Sequence, residues 1–298
     1  MIRGVIPVLY SYFSTSGALD LDAHVRQIDW VMPRGATGVT LLGLASEGAS
    51  LTQEERKSVI TRTAQHLSAG AALLVTTRPD DELHDIVRIA LESRGDVGLI
   101  VQIGADPAPS IAQIRRIAAD ASLASSVSIG LQLAPGLIDT AFSAASLQAL
   151  PDVVQRVSFL KAEYNSIELD QHLKVVGKKF DLLVGRNGQN FIDYLRIGAT
   201  GVIPGPEMTA PLCSIVSDWT AGQHDDAIAR YSNVAPYIDF AMQDLDTVID
   251  VGRAVTARAL DFDRGSRRGP SGREGPSFDA AIEFWFSRWQ QFEAASAT

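Results

Sequence analysis

The first two hundred residues of the chain alternate between two patterns of apolar and polar positions. Short apolar runs rich in β-branched residues are each followed by a stretch in which apolar residues recur every three or four positions. The first pattern is typical of buried strands, and the second is typical of amphipathic helices. Strands that alternate with helices predict a parallel sheet with the helices packed on it.

Eight apolar runs are candidate strands, and this number indicates the architecture. They are GVIPVLY (4–10), GVTLLG (38–43), ALLVTT (72–77), VGLIVQI (97–103), VSIGLQL (127–133), VSFLK (157–161), DLLVG (181–185) and GVIPG (201–205). Eight strand and helix units predict a (β/α)8 barrel, which commonly needs about 250 residues. A doubly wound open sheet is the alternative, but the turn after the first run, YSYFSTSG, lacks the glycine fingerprint of such sheets.

From residue 206 onward the apolar spacing becomes wholly helical. We therefore predict a (β/α)8 barrel over residues 1–205 and a helical extension over residues 206–298 that packs on it. The segment 261–277, DFDRGSRRGPSGREGPS, is the one obvious linker, because glycine, proline, serine and arginine crowd together there. A basic loop can bind phosphate, but in an acidic chain a solvated connection is the favoured interpretation.

Composition and charge exclude several classes of protein. Of the 298 residues, 46% are apolar and 20% are charged, as expected for a globular protein with a sizeable core. A formal net charge of -9 gives no support for binding to nucleic acid or anionic membranes, and no apolar run is long enough to span a bilayer. The N-terminus lacks a signal-peptide pattern, and the single cysteine, Cys213, has no partner for an internal disulfide. We expect a cytoplasmic protein.

The sequence contains no motif typical of a metal site or of a nucleotide-binding site. None of the histidines falls at a predicted strand end, and no pair of them has the spacing of metal ligands. Neither a Gly-x-Ser-x-Gly nucleophile turn nor a phosphate-binding P-loop is present. We predict no metal and no separate cofactor.

Lys161 is the lysine whose position needs an explanation. It directly follows the apolar run 157–160, whereas the other four lysines lie on a predicted helix or in a polar segment. Catalytic groups of (β/α)8 barrels lie at the C-terminal ends of the strands, so Lys161 would point into the mouth of the barrel. An amine partly removed from water loses its proton more readily, and a neutral amine attacks a carbonyl to form a Schiff base. The structural alternative is an ion pair with Glu163 or Glu47.

A second strand end, LLGLASEGASLTQEER (41–56), carries a tight polar turn. Ser46 and Glu47 lie in this turn, and both are candidates for binding a substrate, as is Ser11 directly after the first strand. The following Thr52 and Glu55 have the spacing of a capping box, which predicts the start of a helix.

The seventh strand ends in VGRNGQN (184–190), a glycine-rich turn. Its backbone amides, together with Arg186 and Asn187, are candidates for binding an anion near the mouth of the barrel. An ordinary strand-to-helix turn is the alternative. At the end of the eighth strand, Ile203 and Gly205 complete this set, because a glycine permits the close approach of a ligand.

Taken together, these motifs resemble the dihydrodipicolinate synthase and N-acetylneuraminate lyase superfamily of class I aldolases and dehydratases. The resemblance covers nearly the whole chain and rests on RGVIPVLYSYF, GLASEGASLTQEER, FLKAE and GATGVIPG. It implies that Lys161 is the Schiff-base lysine and that Glu47 is the acidic residue of a Gly-Thr-Thr-Gly-Glu turn. It also implies a small 2-keto acid as substrate, bound covalently without a cofactor, and a homotetramer or homodimer.

The chain departs from the family pattern at informative positions. Leu44 and Ala45 replace the two threonines that hold the keto-acid carboxylate, and Ser46 replaces the glycine that follows them. Gln132 stands where the aldolases usually have a proton-relaying tyrosine, and a glutamine amide is neither an acid nor a base. The arginine that grips the aldehyde partner in true dihydrodipicolinate synthases is absent from PGLIDTAF, so lysine-pathway synthesis is not expected.

Three hypotheses follow from this pattern. The first, favoured because the pattern is similar to the 2-keto-3-deoxy-L-arabonate dehydratase branch, is a dehydratase of a 2-keto-3-deoxy sugar acid. In it Lys161 forms the Schiff base, Gln132 orients a hydroxyl or water, and Glu163, which shares the face of Lys161, is a candidate base. The second is a retro-aldolase or related lyase, with Glu163 or Ser11 relaying the proton. The third is a catalytically silent barrel that binds a keto acid.

Overall fold

All eight predicted strands form in the computed structural model, which describes residues 1–78, 81–120, 122–123, 125–138, 140, 142–268 and 273–296. The strands are β1 (Gly4–Val5), β2 (Gly38–Leu41), β3 (Ala72–Thr77), β4 (Val97–Gln102), β5 (Val127–Leu133), β6 (Val157–Ala162), β7 (Asp181–Val184) and β8 (Gly201–Val202). The first and last are shorter than the apolar pattern predicts. Each of these runs contains a proline, Pro7 or Pro204, which has no N–H to donate to a neighbouring strand.

The strands are all parallel and follow the order β1, β8, β7, β6, β5, β4, β3, β2. The chain just after β1 closes the circle, because Val8 pairs with Thr40 of β2 in a parallel bridge. The Leu9 N–H donates to the Thr40 carbonyl at 3.0 Å, and the Thr40 N–H donates to the Pro7 carbonyl at 2.8 Å. The prediction of a (β/α)8 barrel rather than an open sheet is confirmed.

Side chains from alternate strand positions fill the interior of the barrel. The innermost apolar cluster comprises Ile6, Val8, Leu74, Ile100, Phe159, Leu183 and Ile203. The Phe159 ring needs the space beside Gly130, where an added Cβ would lie 2.2 Å from the ring. This packed layer is the floor on which the polar residues at the strand ends rest.

Eleven α-helices are present in the described residues. They are α1 (Leu21–Val31), α2 (Gln53–His66), α3 (Leu83–Ser93), α4 (Ala108–Ala119), α5 (Pro151–Arg156), α6 (Ser166–Val176), α7 (Phe191–Arg196), α8 (Thr209–Thr220), α9 (His224–Ala241), α10 (Leu245–Ala259) and α11 (Pro276–Ser296). The capping box predicted for α2 is confirmed, because the Glu55 N–H donates to Thr52 Oγ1 and the Thr52 N–H donates to Glu55. In the described part of the chain, no helix is both long enough and apolar enough to cross a membrane.

The helical region after residue 205 packs on the barrel. Helix α8 contacts β1, α9 and α11 pack on α8, and α9, α10 and α11 pack on one another. The division of the chain at residue 205 stays a prediction, and the contact of α8 with β1 makes this helix part of the outer layer of the barrel.

The segment after α10 corrects the expectation of a solvated linker. Residues 269–272 of it lie outside the described residues, but Arg267 is described and its side chain is only 4% exposed. This side chain reaches the turn after β2, where it pairs with Glu47. The physical reason is that buried acidic groups on two different elements, Glu47 and Asp250, bind the guanidinium more favourably than water does.

Candidate active site

Lys161 lies near the C-terminal end of β6, with its side chain inside the barrel. Phe159, two residues earlier, belongs to the interior cluster, and residues two apart on a strand share a face. Lys161 is 5% exposed, and its Nζ lies 3.3 Å from Glu163 Oε1. Of the two ion pairs considered from the sequence, the structure therefore forms the one with Glu163.

Glu163 is held from three sides. Its Oε1 also accepts the backbone N–H of Arg186 at 3.3 Å, and its Oε2 accepts a hydrogen bond from Gln132 Nε2. The carboxylate needs the glycine at position 185, because a Cβ there would lie 2.1 Å from Glu163 Oε1. A carboxylate that accepts several hydrogen bonds is stabilised in its ionised form, which is the form that removes protons.

Gln102, which was not predicted as a site residue, extends this arrangement to β4. Its Nε2 donates to Gln132 Oε1 at 3.0 Å, and both side chains are buried. A signal was present in the sequence: VGLIVQI, like VSIGLQL, carries a glutamine among apolar residues at a strand end. The sequence of one strand, however, does not show that this glutamine contacts Gln132 on the neighbouring strand.

A cavity of about 120 Å³ opens above Lys161. Six of the predicted site residues line it, namely Lys161, Glu163, Arg186, Asn187, Ile203 and Gly205. Tyr10, Leu44 and Ala45 line it from the strands on the opposite side, and the start of α10 closes it from above with Asp244, Leu245 and Val248. Gln132 lies behind Glu163, and its predicted role in orienting a hydroxyl or water stays a prediction.

A buried carboxyl next to the cavity wall was also missed. Glu207 accepts hydrogen bonds from Tyr10 Oη at 3.2 Å, Tyr237 Oη at 3.5 Å and Asn187 Nδ2 at 3.2 Å. Burial raises the pKa of Glu207 from 4.5 to about 7, and burial together with the Glu207 charge raises the pKa of Tyr10 well above 10. Asn187 Oδ1 in turn accepts the Gly205 N–H at 2.9 Å, so this network fixes two residues of the cavity wall.

The turn after β2 is built differently from its prediction. The side chains of Ser11, Ser46 and Glu47 are buried, but these residues are not on the wall of the cavity. Ser11 Oγ donates to the Ser46 carbonyl at 2.6 Å, and Glu47 Oε1 lies 2.9 Å from Arg267 Nε. Asp250 of α10 contacts the same guanidinium at 3.3 Å. The roles of Ser11, Ser46 and Glu47 in substrate binding stay predictions.

Two turns at the mouth adopt backbone conformations that are unusual for residues other than glycine. Glu47 has a φ of +52°, and Arg186 and Asn187 have φ values of +52° and +53°. Such residues concentrate at ligand-binding sites, where the surrounding structure holds them in place. Arg186 Nε is buried and has no hydrogen-bond partner among the described residues, so it can still bind a group that enters the cavity.

The chemistry available to this arrangement is that of an amine and a carboxylate in a pocket largely shielded from water. In such an arrangement a lysine amine can serve as a nucleophile, the carboxylate beside it as a proton acceptor and the unpartnered Arg186 Nε as a donor to an anion, and these roles stay predictions. Among the residues that the structure describes, no three His, Cys, Asp or Glu side chains cluster so as to hold a metal ion. The absence of a metal or cofactor from the reaction stays a prediction.

Curated proteins with similar sequences include a dehydratase and synthases. No protein-family model matches the chain. An L-2-keto-3-deoxyarabonate dehydratase of Azospirillum brasilense is 28% identical over 245 residues, which are 80% of this chain and 79% of that protein. A 4-hydroxy-tetrahydrodipicolinate synthase of Gluconacetobacter diazotrophicus is 24% identical over 234 residues, which are 77% of this chain and 78% of that protein.

Solved structures with a similar fold include a synthase and an aldolase. The 4-hydroxy-tetrahydrodipicolinate synthase of Methylacidiphilum fumariolicum SolV has a TM-score of 0.83 at 18% identity, over 100% of this chain and 99% of that chain. The sialic acid aldolase of Ruminococcus gnavus has a TM-score of 0.80 at 16% identity, over 98% of both chains. At these identities the likeness shows the fold alone.

Proposed function

Because the chain belongs to the superfamily of dihydrodipicolinate synthases and N-acetylneuraminate lyases, whose members are lyases, we propose that it dehydrates a 2-keto-3-deoxy sugar acid through a Schiff base on Lys161. The observation that carries the proposal is the position of Glu163. Its carboxylate lies between Lys161 Nζ and the amide of Gln132, the residue that stands where the aldolases of this family usually have a tyrosine.

Schiff-base formation begins with the transfer of a proton from Lys161 to Glu163. The neutral amine then attacks the C2 carbonyl, and Glu163 gives its proton to the carbinolamine hydroxyl, which leaves as water, so that an iminium forms and Glu163 is a carboxylate again. The iminium acidifies the C3 protons, and C3 is two bonds from Nζ, so a carboxylate that touches Nζ is also within reach of C3. Glu163 removes one C3 proton, the C4 hydroxyl leaves as water with a proton returned to it, and hydrolysis frees Lys161.

The substrate carboxylate needs a donor other than the two threonines of the family turn. Arg186 is the candidate, because it lines the cavity and its buried Nε has no partner among the described residues. A hydrogen bond from an arginine to a carboxylate is stronger than one from a threonine hydroxyl, because the arginine and the carboxylate are both charged. We therefore place the carboxylate of the keto acid on the β7 side of the cavity.

The Azospirillum brasilense relative supports dehydration, since its name states this reaction and the similarity covers most of both chains. Retro-aldol cleavage is the second candidate, and one observation favours it. Tyr10 lines the cavity and donates to Glu207, so a phenol and a carboxyl with a pKa of about 7 are connected near the substrate. A C4 hydroxyl would have to lie against Tyr10 rather than against Glu163 for cleavage to occur.

Two measurements test the proposal. The protein is incubated with pyruvate or a 2-keto-3-deoxy pentonate, reduced with borohydride, and weighed intact, and we expect one adduct on Lys161. Turnover of the pentonate is then followed with lactate dehydrogenase and NADH, which report free pyruvate. We expect water loss to a semialdehyde-type product without release of pyruvate.

The possible outcomes separate the hypotheses. Stoichiometric pyruvate from the wild-type protein would replace dehydration by retro-aldol cleavage, with Tyr10 as the first relay to examine. Absence of any adduct with several keto acids, under conditions that trap a family member of known activity, would favour a barrel that binds a keto acid without reacting. Lys161→Met serves as the matched control for trapping, because it keeps the length of the side chain and removes the amine.

A further inference from the structure

Gln102 and Gln132 form a short row of amides that ends at Glu163. In the registers of the three strands, Gln102 of β4 pairs with Gln132 of β5, and Gln132 pairs with Lys161 of β6. Both glutamines lie two residues after an interior position of the barrel, Ile100 and Gly130, so they face inward. The row therefore runs across the barrel at the level of the Schiff-base lysine.

The chemistry of the groups sets the direction of the hydrogen bonds along this row. An ionised carboxylate only accepts hydrogen bonds, so Gln132 must turn its Nε2 toward Glu163 and its Oε1 away from it. Gln102 Nε2 meets that Oε1 at 3.0 Å. Without a donor at this place, the Gln132 amide could rotate by half a turn and present its oxygen to Glu163, where it would repel the charge.

We propose that Gln102 is a positioning residue that fixes the orientation of the Gln132 amide and thereby holds the Glu163 carboxylate in place beside Lys161. The inference rests on the proposed function, in which Glu163 removes protons. Gln102 does not reach the substrate, and it acts only through Gln132. The proposal assigns a role to a residue at the end of β4, a strand that otherwise contributes no side chain to the cavity wall as described.

The charged neighbours of Glu163 lie apart from the row formed by Gln102 and Gln132. Among the described residues, Lys161 at the end of β6 and Arg186 and Tyr194 after β7 are charged or titratable groups near it. On the side of β4 and β5 its neighbours are the two glutamines, which do not titrate at any ordinary pH. Substitution of Gln102 therefore alters one side of Glu163 and leaves the other charges in place.

The first test needs no substrate. Side-chain amide resonances of 15N-glutamine-labelled protein are assigned with Gln102→Met and Gln132→Met and followed against pH. We expect the Gln102 and Gln132 amides to shift with one common midpoint, and both shifts to vanish in Glu163→Ala. A Gln102 amide that does not respond, or that responds with a different midpoint, overturns the proposal.

The second test compares pH-rate profiles. We expect Gln102→Met to lower kcat/KM by about tenfold on the acid side of the optimum, and to move the acid limb up by about one pH unit, because loss of an oriented hydrogen-bond donor to a carboxylate disfavours the charged form of that carboxylate. At alkaline pH the rates of the two proteins should converge. A merely structural role would lower the rate equally at every pH.

Gln113→Met is the matched control. This glutamine accepts the Leu83 N–H at 2.9 Å and donates to the Asp81 carbonyl at 3.1 Å, between α3 and α4 on the outside of the barrel. The acid limb of the Gln113→Met pH-rate profile should superimpose on that of the wild type. If the acid limb of the Gln102→Met profile also superimposes on the wild-type limb, the proposal is overturned. If the wild-type protein forms no adduct and shows no turnover, the proposed function fails, while the amide titration still decides the role of Gln102.

Discussion

The two sides of the barrel mouth hold their charged groups in different ways. On the strand-end side, formed by Gln102, Gln132, Lys161 and Glu163, every functional group stands on a strand or directly after one, and its partners come from the same strand end or from the adjacent strand. On the clasped side, the turn 43–48 holds Glu47, whose partner Arg267 arrives from a segment 220 residues away in sequence. One side is supported by sheet register, and the other is supported by a long-range ion pair.

This difference indicates that the strand-end side is suited to the reaction, whereas the clasped side is suited to stabilising the fold. The strand-end side presents Lys161 and Glu163 to the cavity, with the neighbouring amides fixed by register. The clasped side directs Glu47 away from the cavity wall and uses its charge to hold the segment after α10 and helix α10 itself, through Asp250. We therefore expect substitutions on the first side to change the reaction, and those on the second to change stability.

The largest effect is expected at Lys161. Lys161→Arg should abolish both borohydride-trapped adduct and turnover, with a loss of more than about 10⁴-fold, because a guanidinium offers no neutral amine near pH 7. Circular dichroism and the unfolding midpoint should stay close to those of the wild type. Persistent adduct in Lys161→Arg or Lys161→Ala would remove Lys161 from its proposed role.

Glu163→Gln should separate adduct formation from turnover. The amide keeps the shape of the side chain but removes the proton acceptor beside Lys161 Nζ, so we expect turnover to fall by about 10²–10⁴-fold. Pyruvate should still be trapped, although more slowly, because Lys161 remains. Equal losses in trapping and turnover would mean that Glu163 serves only to position the lysine.

On the clasped side, Arg267→Met should lower the free energy of unfolding by about 3–5 kcal/mol, since it removes a buried cation from between two buried carboxylates. Arg273→Met is the control, because the Arg273 pair with Asp244 is roughly half exposed and worth at most about 1 kcal/mol. Urea unfolding measures both. Similar losses in the two variants would show that the buried ion pairs of Arg267 stabilise the protein no more than a surface ion pair does.

The smallest effect concerns Glu207, which contacts Tyr10 and Asn187 of the cavity wall. Its pKa is raised from 4.5 to about 7 in the folded protein, so between these values the unfolded chain releases a proton that the folded chain keeps. Its contribution to the free energy of unfolding should therefore fall as pH rises through this window, by on the order of 3 kcal/mol, and stay constant above it. Parallel stability curves for the wild type and Glu207→Gln across pH 4 to 8 would contradict this expectation.

The repeating elements and the central lysine were open to prediction, because each depends on local pattern. Eight apolar runs predicted eight strands, and the barrel rule placed Lys161 and Glu163 at the mouth, where the structure has them. The capping box of α2 was likewise readable, since its two residues lie within one helical turn. Register then accounts for Gln132, which pairs directly with Lys161.

Contacts between distant parts of the chain could not be read in this way. Nothing near Arg267 in the sequence distinguishes it from the other arginines of its segment, and only the folded chain brings it to Glu47 and Asp250. Glu207 follows the eighth strand as an ordinary acidic residue until Tyr10, Tyr237 and Asn187 surround it. Periodicity records which face of an element is buried, whereas the partner of a buried charge depends on how the elements meet, because that charge binds whichever group the fold places within hydrogen-bond distance.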